Sequence, residues 1–451
     1  MKDKVKVIEL FAGVGGFRVG LEGYPKKKDS DFEIVWSNQW EPNETAQWAN
    51  RVYRYHFSKH KTPHSEIDIA EVNPKDIPSH DMLVGGFPCQ DFSVGSLNKF
   101  SGGLEGSKGV LWYQIRRILH ANILRKQPTK YLVLENVDRL LKCPVNLKGG
   151  DFYKILMNLN RMGYAAEWKV INAGDYNMPQ RRRRIFIVGY HSSTPEYKKI
   201  QESVKNYSYG WIKSDGVLAS AFPSNYEDSN RPFSKIPEYY SIFKDRDQRD
   251  DSKLTEFENN VQRAQDKKKL SPFKNSGLLI KNNIYTLKHT PVFIENKNPM
   301  KKFLEKDKSK ILDEFIVSSD VFDAKWKPAK GAKKQTRKSA DGLFTYNWSE
   351  GGMSEHDSID KPARTIITSE GGSAASRTKH IIKYGKQYRR LLPSELDQLN
   401  MFKKDFTKYG LDDDGVKVEI SASRRAFLMG NALVVGVIDK IGRELAKRIK
   451  K

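Results

Sequence analysis

The chain has 451 residues, 38% hydrophobic and 30% charged, enough apolar side chain for a packed core of one or two domains and too much for wholesale disorder. Its formal net charge of +24 fits a nucleic-acid partner, an anionic membrane surface or a merely lysine-rich composition, so charge alone does not choose. With only two cysteines, Cys89 and Cys143, a disulfide framework is excluded and an intracellular, cytoplasmic setting is expected; no apolar run is long enough to span a bilayer.

Over the first 190 residues short apolar runs alternate with helical patterns. Val5–Phe11, Ile34–Ser37, Asp81–Gly85, Tyr131–Leu134 and Arg184–Gly189 read as buried strands, and Gly109–Lys126 and Asp151–Met162 as amphipathic helices between them. This alternation predicts βαβ units around a mostly parallel sheet. From about His191 the periodicity is lost. Lys327–Lys338 reads as an exposed loop, more a solvated linker than a DNA contact, and the glycine pairs 351–352 and 371–372 read as tight turns. Helical patterning returns at Pro393–Phe402, and Arg425–Lys450 reads as one amphipathic helix.

Six segments carry candidate chemistry. Phe11-Ala12-Gly13-Val14-Gly15-Gly16 turns a strand into a helix, as at cofactor sites but also at ordinary tight turns. The second strand ends in Asn38-Gln39-Trp40-Glu41, where a polar side chain commonly meets a ribose. Gly86-Phe87-Pro88-Cys89-Gln90 follows an apolar strand and precedes a Gly/Ser-rich stretch, Asp91–Lys108. A lone cysteine is more often a small buried hydrophobe, but this placement suits an exposed thiolate nucleophile. Cys143 lacks such a setting and reads as structural. Glu135, in Leu134-Glu135-Asn136-Val137, ends an apolar strand. There it is a poorly solvated carboxylate suited to sharing a proton with a base, or an ion-pair partner. Gln180 followed by Arg181 to Arg184 crowds four guanidinium groups, which calls for phosphate or carboxylate neighbours unless the loop is simply solvated. Gly430-Asn431-Ala432 is expected to open the last helix.

In this order the segments resemble the cytosine-5 DNA methyltransferase family over most of residues 1–190 and about 386–451. The Pro-Cys-Gln and Glu-Asn-Val blocks, with Cys89 and Glu135 46 residues apart, are the most specific part. The resemblance implies an α/β fold. It comprises a Rossmann-like methyltransferase domain over 1–190, completed by a C-terminal helix at 426–451, a smaller, irregular, β-rich target-recognition domain over 191–385, and a hinge region over 386–425. It implies S-adenosylmethionine as methyl donor, S-adenosylhomocysteine as product, and no metal. Phe11, Gly13, Gly15, Gly16, Gln39, Trp40, Asp68, Ile69, Pro88, Leu111 and Asn431 match cofactor-pocket positions. Cys89 would be the nucleophile and Glu135 the residue at ring nitrogen 3. Of Arg182 and Arg184 one would face the base, here expected to be Arg182, while its neighbour steadies the site.

The implied partner is duplex DNA, touched by Gln90, Ser93, Met353, Arg364 and Thr365, with Met353 filling the space of a flipped base. The stretch after Cys89 would close as a lid. A bacterial, nucleoid-associated monomer, paired with a restriction endonuclease for the same site, is expected. Rivals are a transfer-RNA cytosine-5 methyltransferase and a catalytically silent nucleic-acid-binding regulator. The long basic variable region speaks against the first, and intact Cys89 and Glu135 against the second. Three departures from the family pattern stand out: Gln39 where Glu is frequent, Glu9 where Asp is common, and Ser394 where an arginine is usual before Glu395.

Overall fold

The computed structural model describes residues 4–23, 30–42, 44–60, 62–87, 111–143, 148–206, 209–227, 271–338 and 345–449. Ten strands come first in the chain: β1 (Val5–Leu10), β2 (Phe32–Asn38), β3 (His64–Ser65), β4 (Met82–Gly86), β5 (Tyr131–Val137), β6 (Tyr164–Asn172), β7 (Arg183–His191), β8 (Ser224–Tyr226), β9 (Ser276–Ile280) and β10 (Asn283–Leu287). All but β8 form one sheet in the order β10-β9-β6-β7-β5-β4-β1-β2-β3. Strands β1 to β5 pair in parallel, whereas β7 runs antiparallel between β5 and β6.

Period-two alternation builds both faces of the sheet. Val5, Val7, Met82, Val84, Tyr131 and Val133 enter one apolar cluster, and Ile8, Leu10, Leu83, Leu132 and Leu134 enter the other. Helices α1 (Gly16–Glu22), α2 (Trp48–Phe57), α3 (Leu111–Leu124) and α4 (Gly150–Arg161) lie among the early strands; α5 (Pro195–Asn206) and α6 (Val217–Ala221) follow β7. No helix among the described residues is long and apolar enough to cross a membrane.

Strand β6 escapes the hydrophobic pattern for an identifiable reason. It is buried along nearly its whole length although it carries Glu167 and Lys169. Glu167 accepts from the backbone N–H groups of Val217 and Leu218 at the start of α6, and Lys169 donates to the Phe222 carbonyl at 2.6 Å. Both groups are thus satisfied by main chain of the element packed beneath them and by the hydroxyls of Tyr190 and Tyr226. Beyond it, β9 and β10 form a hairpin on the sheet's edge, turned by Lys281 and Asn282 with φ of 44° and 63°, the geometry of a two-residue primed turn. The large sheet therefore continues past the expected domain boundary at 190/191.

Further corrections concern the C-terminal half. Residues 425–450 do not form one helix: Ala422–Asn431 and Val435–Ile449 are separate, and the Val435 N–H bonds the Asn400 carbonyl at the break. Gly430-Asn431 accordingly closes a helix instead of opening one. Residues 386–425 include the helix Pro393–Leu399; Leu391, Leu396, Leu399 and Phe402 share an apolar cluster with Val14 of the glycine turn and Val52 of α2. Lys327–Lys338 is no linker. It forms a helical turn, Lys327–Lys330, and then a strand, Lys333–Lys338, paired with Thr345–Glu350.

Candidate active site

The sheet's parallel half sends β1, β2, β4 and β5 to the same edge, and neighbours of β1 leave it in opposite directions, the place where open α/β sheets bind ligands. At that edge Phe11 and Gly13 adopt left-handed conformations, φ 53° and 56°. The Gly13 N–H donates to Gln39 Oε1 at 2.6 Å, so the amide at the position where Glu is frequent ties the ends of β1 and β2 together. A Cβ on Gly13 would meet nothing within 4 Å, leaving open space on that side of the turn. Gly15 and Gly16 are closely packed: a Cβ there would strike Phe57 at 2.5 Å or Leu433 at 3.0 Å.

Beneath the turn, Glu9 is fully buried and accepts from the Arg18 N–H at 3.3 Å and the Tyr53 hydroxyl at 3.2 Å. Burial pushes its carboxyl up to about 8, against the pull of Arg18. Glu9 thus serves the scaffold of α1 and α2.

Trp40 follows Gln39 with 36% of its surface exposed, an aromatic face open beside the turn. The Asp68-Ile69 segment lies at the end of β3. Asp68 caps its own turn through the Ala70 N–H at 2.9 Å, and Ile69 is buried. Two residues to which the sequence assigns no such role hold this segment: Asn38 Nδ2 donates to the Ile67 carbonyl at 2.9 Å, and Arg117 of α3 donates to the Ile69 and Val72 carbonyls at 2.7 and 2.9 Å. Leu111 starts α3 half-buried, and Asn431 is exposed at the end of its helix. An open glycine turn, a buried amide, an exposed indole and a part-exposed carboxylate along one sheet edge fit an adenosyl group with an amino-acid tail.

Glu135 continues the odd-numbered series of β5 opposite Gly86 of β4. A Cβ on Gly86 would stand 3.0 Å from Glu135 Oε2, so the glycine makes room for the carboxylate. Arg184 Nε lies 3.0 Å from Glu135 Oε1, and both side chains are mostly but not fully buried. The neighbouring Asn136 donates to the Phe87 carbonyl at 3.3 Å and accepts from the Val137 N–H, fixing the chain just past the end of β4. Pro88, Cys89, Gln90 and Ser93, with the expected lid, lie outside the described residues. Cys143 is buried, and burial pushes its thiol up to about 11, as befits a structural cysteine.

The four arginines divide their labour. Arg183 pairs with Asp138 at 2.9 Å and Arg184 with Glu135, while Arg181 is exposed. Arg182 does not face a base as expected. It is 4% exposed and donates to the carbonyls of Ile366, Gly430 and Asn431, at 3.1, 2.9 and 3.4 Å, capping the helix that Gly430-Asn431 ends. Gly430 has to be glycine there, because a Cβ would fall 2.4 Å from Ile367 and Thr368 backbone atoms. Gln180 and Arg181 are zipped to Ala363 and Ile366 by main-chain and amide bonds.

This zipper uses up two of the expected DNA contacts. Thr365 donates to the Arg181 carbonyl at 2.7 Å. Arg364 grips Asp357 with two bonds, 2.5 and 3.2 Å, and donates to the carbonyls of Thr378 and Lys379, so its guanidinium is occupied within the protein. Met353 is half-buried and its N–H bonds the Lys330 carbonyl. Near Ser394, Glu395 finds its arginine six residues upstream: Arg389 meets both carboxylate oxygens at 2.7 and 2.9 Å, fully buried.

Among the described residues no cluster of His, Cys, Asp and Glu could hold a metal ion. Comparison with known proteins agrees with this geometry. The family model for the C-5 cytosine-specific DNA methylase matches residues 5–447. The chain is 39% identical to the Type II methyltransferase M.Sau3AI of Staphylococcus aureus, over 99% of this chain and 96% of that one. It is 36% identical to the Type II methyltransferase M.HhaI of Haemophilus parahaemolyticus over 43% of this chain and 52% of the relative. In fold it is similar to the Entamoeba histolytica methyltransferase EhMeth, with a TM-score of 0.57 at 15% identity and full coverage of both chains. It is likewise similar to the S. pombe Dnmt2 methyltransferase, with a TM-score of 0.53 at 14% identity over 99% of each. The chain belongs to the C-5 cytosine-specific DNA methylase family and is an S-adenosylmethionine-dependent DNA cytosine-5 methyltransferase.

Proposed function

We propose that the enzyme methylates one cytosine of a specific duplex sequence after swinging that base out of the helix, with Cys89 as a transient covalent nucleophile. Carbon 5 of cytosine is a weak nucleophile because the ring is aromatic. Addition of the Cys89 thiolate to carbon 6 forms an S–C bond, breaks the aromaticity and makes carbon 5 electron-rich. Glu135 bonds ring nitrogen 3 and the exocyclic amine and stabilises the charge that the addition creates. Arg184, on the other side of the carboxylate, holds Glu135 in that orientation. S-adenosylmethionine, when bound, supplies a methyl on a positively charged sulfur. After carbon 5 has taken the methyl, it gives its proton to a water, the C–S bond to Cys89 breaks and aromaticity returns. Because carbon 6 is shielded in a stacked duplex, base extrusion at about a few kcal/mol belongs to the reaction.

Gly13, Gln39, Trp40, Asp68, Ile69, Leu111 and Asn431 would line the donor pocket, with Phe11 shaping its turn. Met353 would occupy the space the base vacates. The carrying observation is the Arg184–Glu135 pair at 3.0 Å opposite Gly86, three residues before Cys89 in the chain. The Type II methyltransferase relatives suit a modification role; a monomer acting on a site shared with a companion endonuclease goes with that reading.

Bisulfite sequencing of DNA from cells expressing the chain gives the modified base and its site together. A duplex carrying 5-fluorocytosine at that site is expected to trap a peptide–DNA adduct at Cys89, because fluorine prevents the last elimination. Cys89→Ser is expected to abolish turnover and the adduct while retaining DNA binding. Methylation that persists in Cys89→Ser would overturn the covalent route.

A further inference from the structure

The strands Lys333–Lys338 and Thr345–Glu350 form a two-stranded antiparallel ribbon with almost every residue solvent-exposed. Two strands without an apolar face of their own are marginal in water, so something must hold this ribbon and something must use it. Its root is held from below. Arg377 pairs with Glu350 at 3.2 Å and donates to the carbonyls of Gly331, at 2.8 Å, and Gly351. Lys330, 1% exposed, donates to the Lys379 carbonyl at 3.0 Å and reaches Asp357. Arg364 links Asp357 to the segment zipped onto Gln180–Arg182. The ribbon is thus braced by bonded residues to the start of β7, where Arg184 meets Glu135.

The register sorts its side chains into two faces. Gln335, Arg337, Tyr346 and Trp348 share one, where Arg337 lies 3.6 Å from the Trp348 ring centre and donates to Gln335. Lys334, Thr336, Lys338, Thr345, Asn347 and Ser349 share the other, which is polar throughout. In its middle Thr336 Oγ1 donates to Asn347 Oδ1 at 3.1 Å, which fixes the Asn347 amide and leaves its N–H donors outward. Four cations and one carboxylate lie on the ribbon, and that carboxylate, Glu350, is taken by Arg377.

We propose that this ribbon enters the major groove of the target duplex. Lys334 and Lys338 meet phosphates, and Asn347, steered by Thr336, reads a base edge. The groove is wide enough for a two-stranded ribbon, and an asparagine amide suits a purine acceptor. The inference rests on duplex DNA being the substrate, as proposed above.

The test uses full-length protein, with duplex affinity measured by fluorescence anisotropy across salt concentrations and site choice by bisulfite sequencing. Lys334→Gln with Lys338→Gln is expected to weaken binding of every duplex and to lower the slope of log affinity against log salt by about 2. Asn347→Ala is expected to leave that slope nearly unchanged and to lose about tenfold of the preference for the cognate site over one-base variants; Asn347→Ser checks that the effect is readout and not folding. Unchanged affinity, slope and site choice in all three variants would overturn the proposal. Should the wild type bind duplex without methylating it, the catalytic reading fails, and the lysine pair's salt slope alone upholds or rejects the ribbon.

Discussion

At the ends of β5 and β7, Arg184 and Glu135 meet at a partly open edge, with 18% and 14% of their side chains exposed. In the variable half, Asp357 is closed over by Lys330 and Arg364, and Lys330 is only 1% exposed. Both are cation–carboxylate contacts near 3 Å, yet one remains partly exposed at the sheet edge and the other braces an element that reaches outward. An ion pair's role follows from what remains open around it, not from its residue types. The same contrast separates Arg184 from Arg182 two positions away, since Arg182 gives its donors to three main-chain carbonyls.

Substitution at the open pair breaks the comparison most sharply. Glu135→Gln keeps the shape and removes the charge, and is expected to lower kcat by about 10²- to 10³-fold with little change in melting temperature. Single-turnover methylation beside thermal melting checks both. Arg182→Met is expected to do the reverse: it strands buried carbonyls of Ile366 and Gly430, and should destabilise the protein by about 3 kcal/mol. Equal loss of kcat and unchanged stability in Arg182→Met would show that the division between the two arginines is mistaken.

Most of the site was legible because it lies where strands end. Short apolar runs mark β1, β4 and β5, and the residues following each strand fall at one sheet edge by topology alone. Glu135, Gln39 and the glycine turn were found this way. Arg117 and Asn38 were not, because their work is to hold carbonyls of an irregular segment and nothing in their local pattern marks it. Strand β6 was missed because Glu167 and Lys169 break its apolar run, their partners being main chain contributed from about fifty residues away. Arg364 differs for another reason: the resemblance places it at a DNA contact, whereas Asp357, seven residues earlier, holds its guanidinium within the protein.

The closed pair has its own signature. Burial raises the Asp357 carboxyl, but Arg364, His380 and Lys330 together outweigh it and hold the group well below the usual carboxylate range. A carboxylate depressed in the fold stabilises above its unfolded pKa, near 4, and loses that contribution as pH falls through the folded value. Asp357→Asn is therefore expected to lower stability by about 3 kcal/mol at pH 7, with the gap to wild type narrowing in urea titrations carried below pH 4. A gap independent of pH would show that the carboxylate's charge is not what binds the brace. Gly430→Ala is expected to have a smaller effect, about 2 kcal/mol, because its methyl would press on the Ile367–Thr368 main chain.

The mildest change addresses the donor side of the open edge. Gln39→Glu keeps an acceptor for the Gly13 N–H, now as a charge-assisted bond, and exchanges an amide N–H₂ for a second acceptor oxygen. If that end of the side chain meets ribose hydroxyls, which donate readily to a carboxylate, KM for S-adenosylmethionine should fall a few-fold, roughly 1 kcal/mol or less, while kcat and the DNA affinity stay level. If the side chain serves only to tie β1 to β2, the variant should shift the melting temperature and leave KM where it was. The two outcomes separate a group that touches the donor from one that merely braces the turn, which is the distinction between Glu135 and Arg182 repeated on a neutral residue.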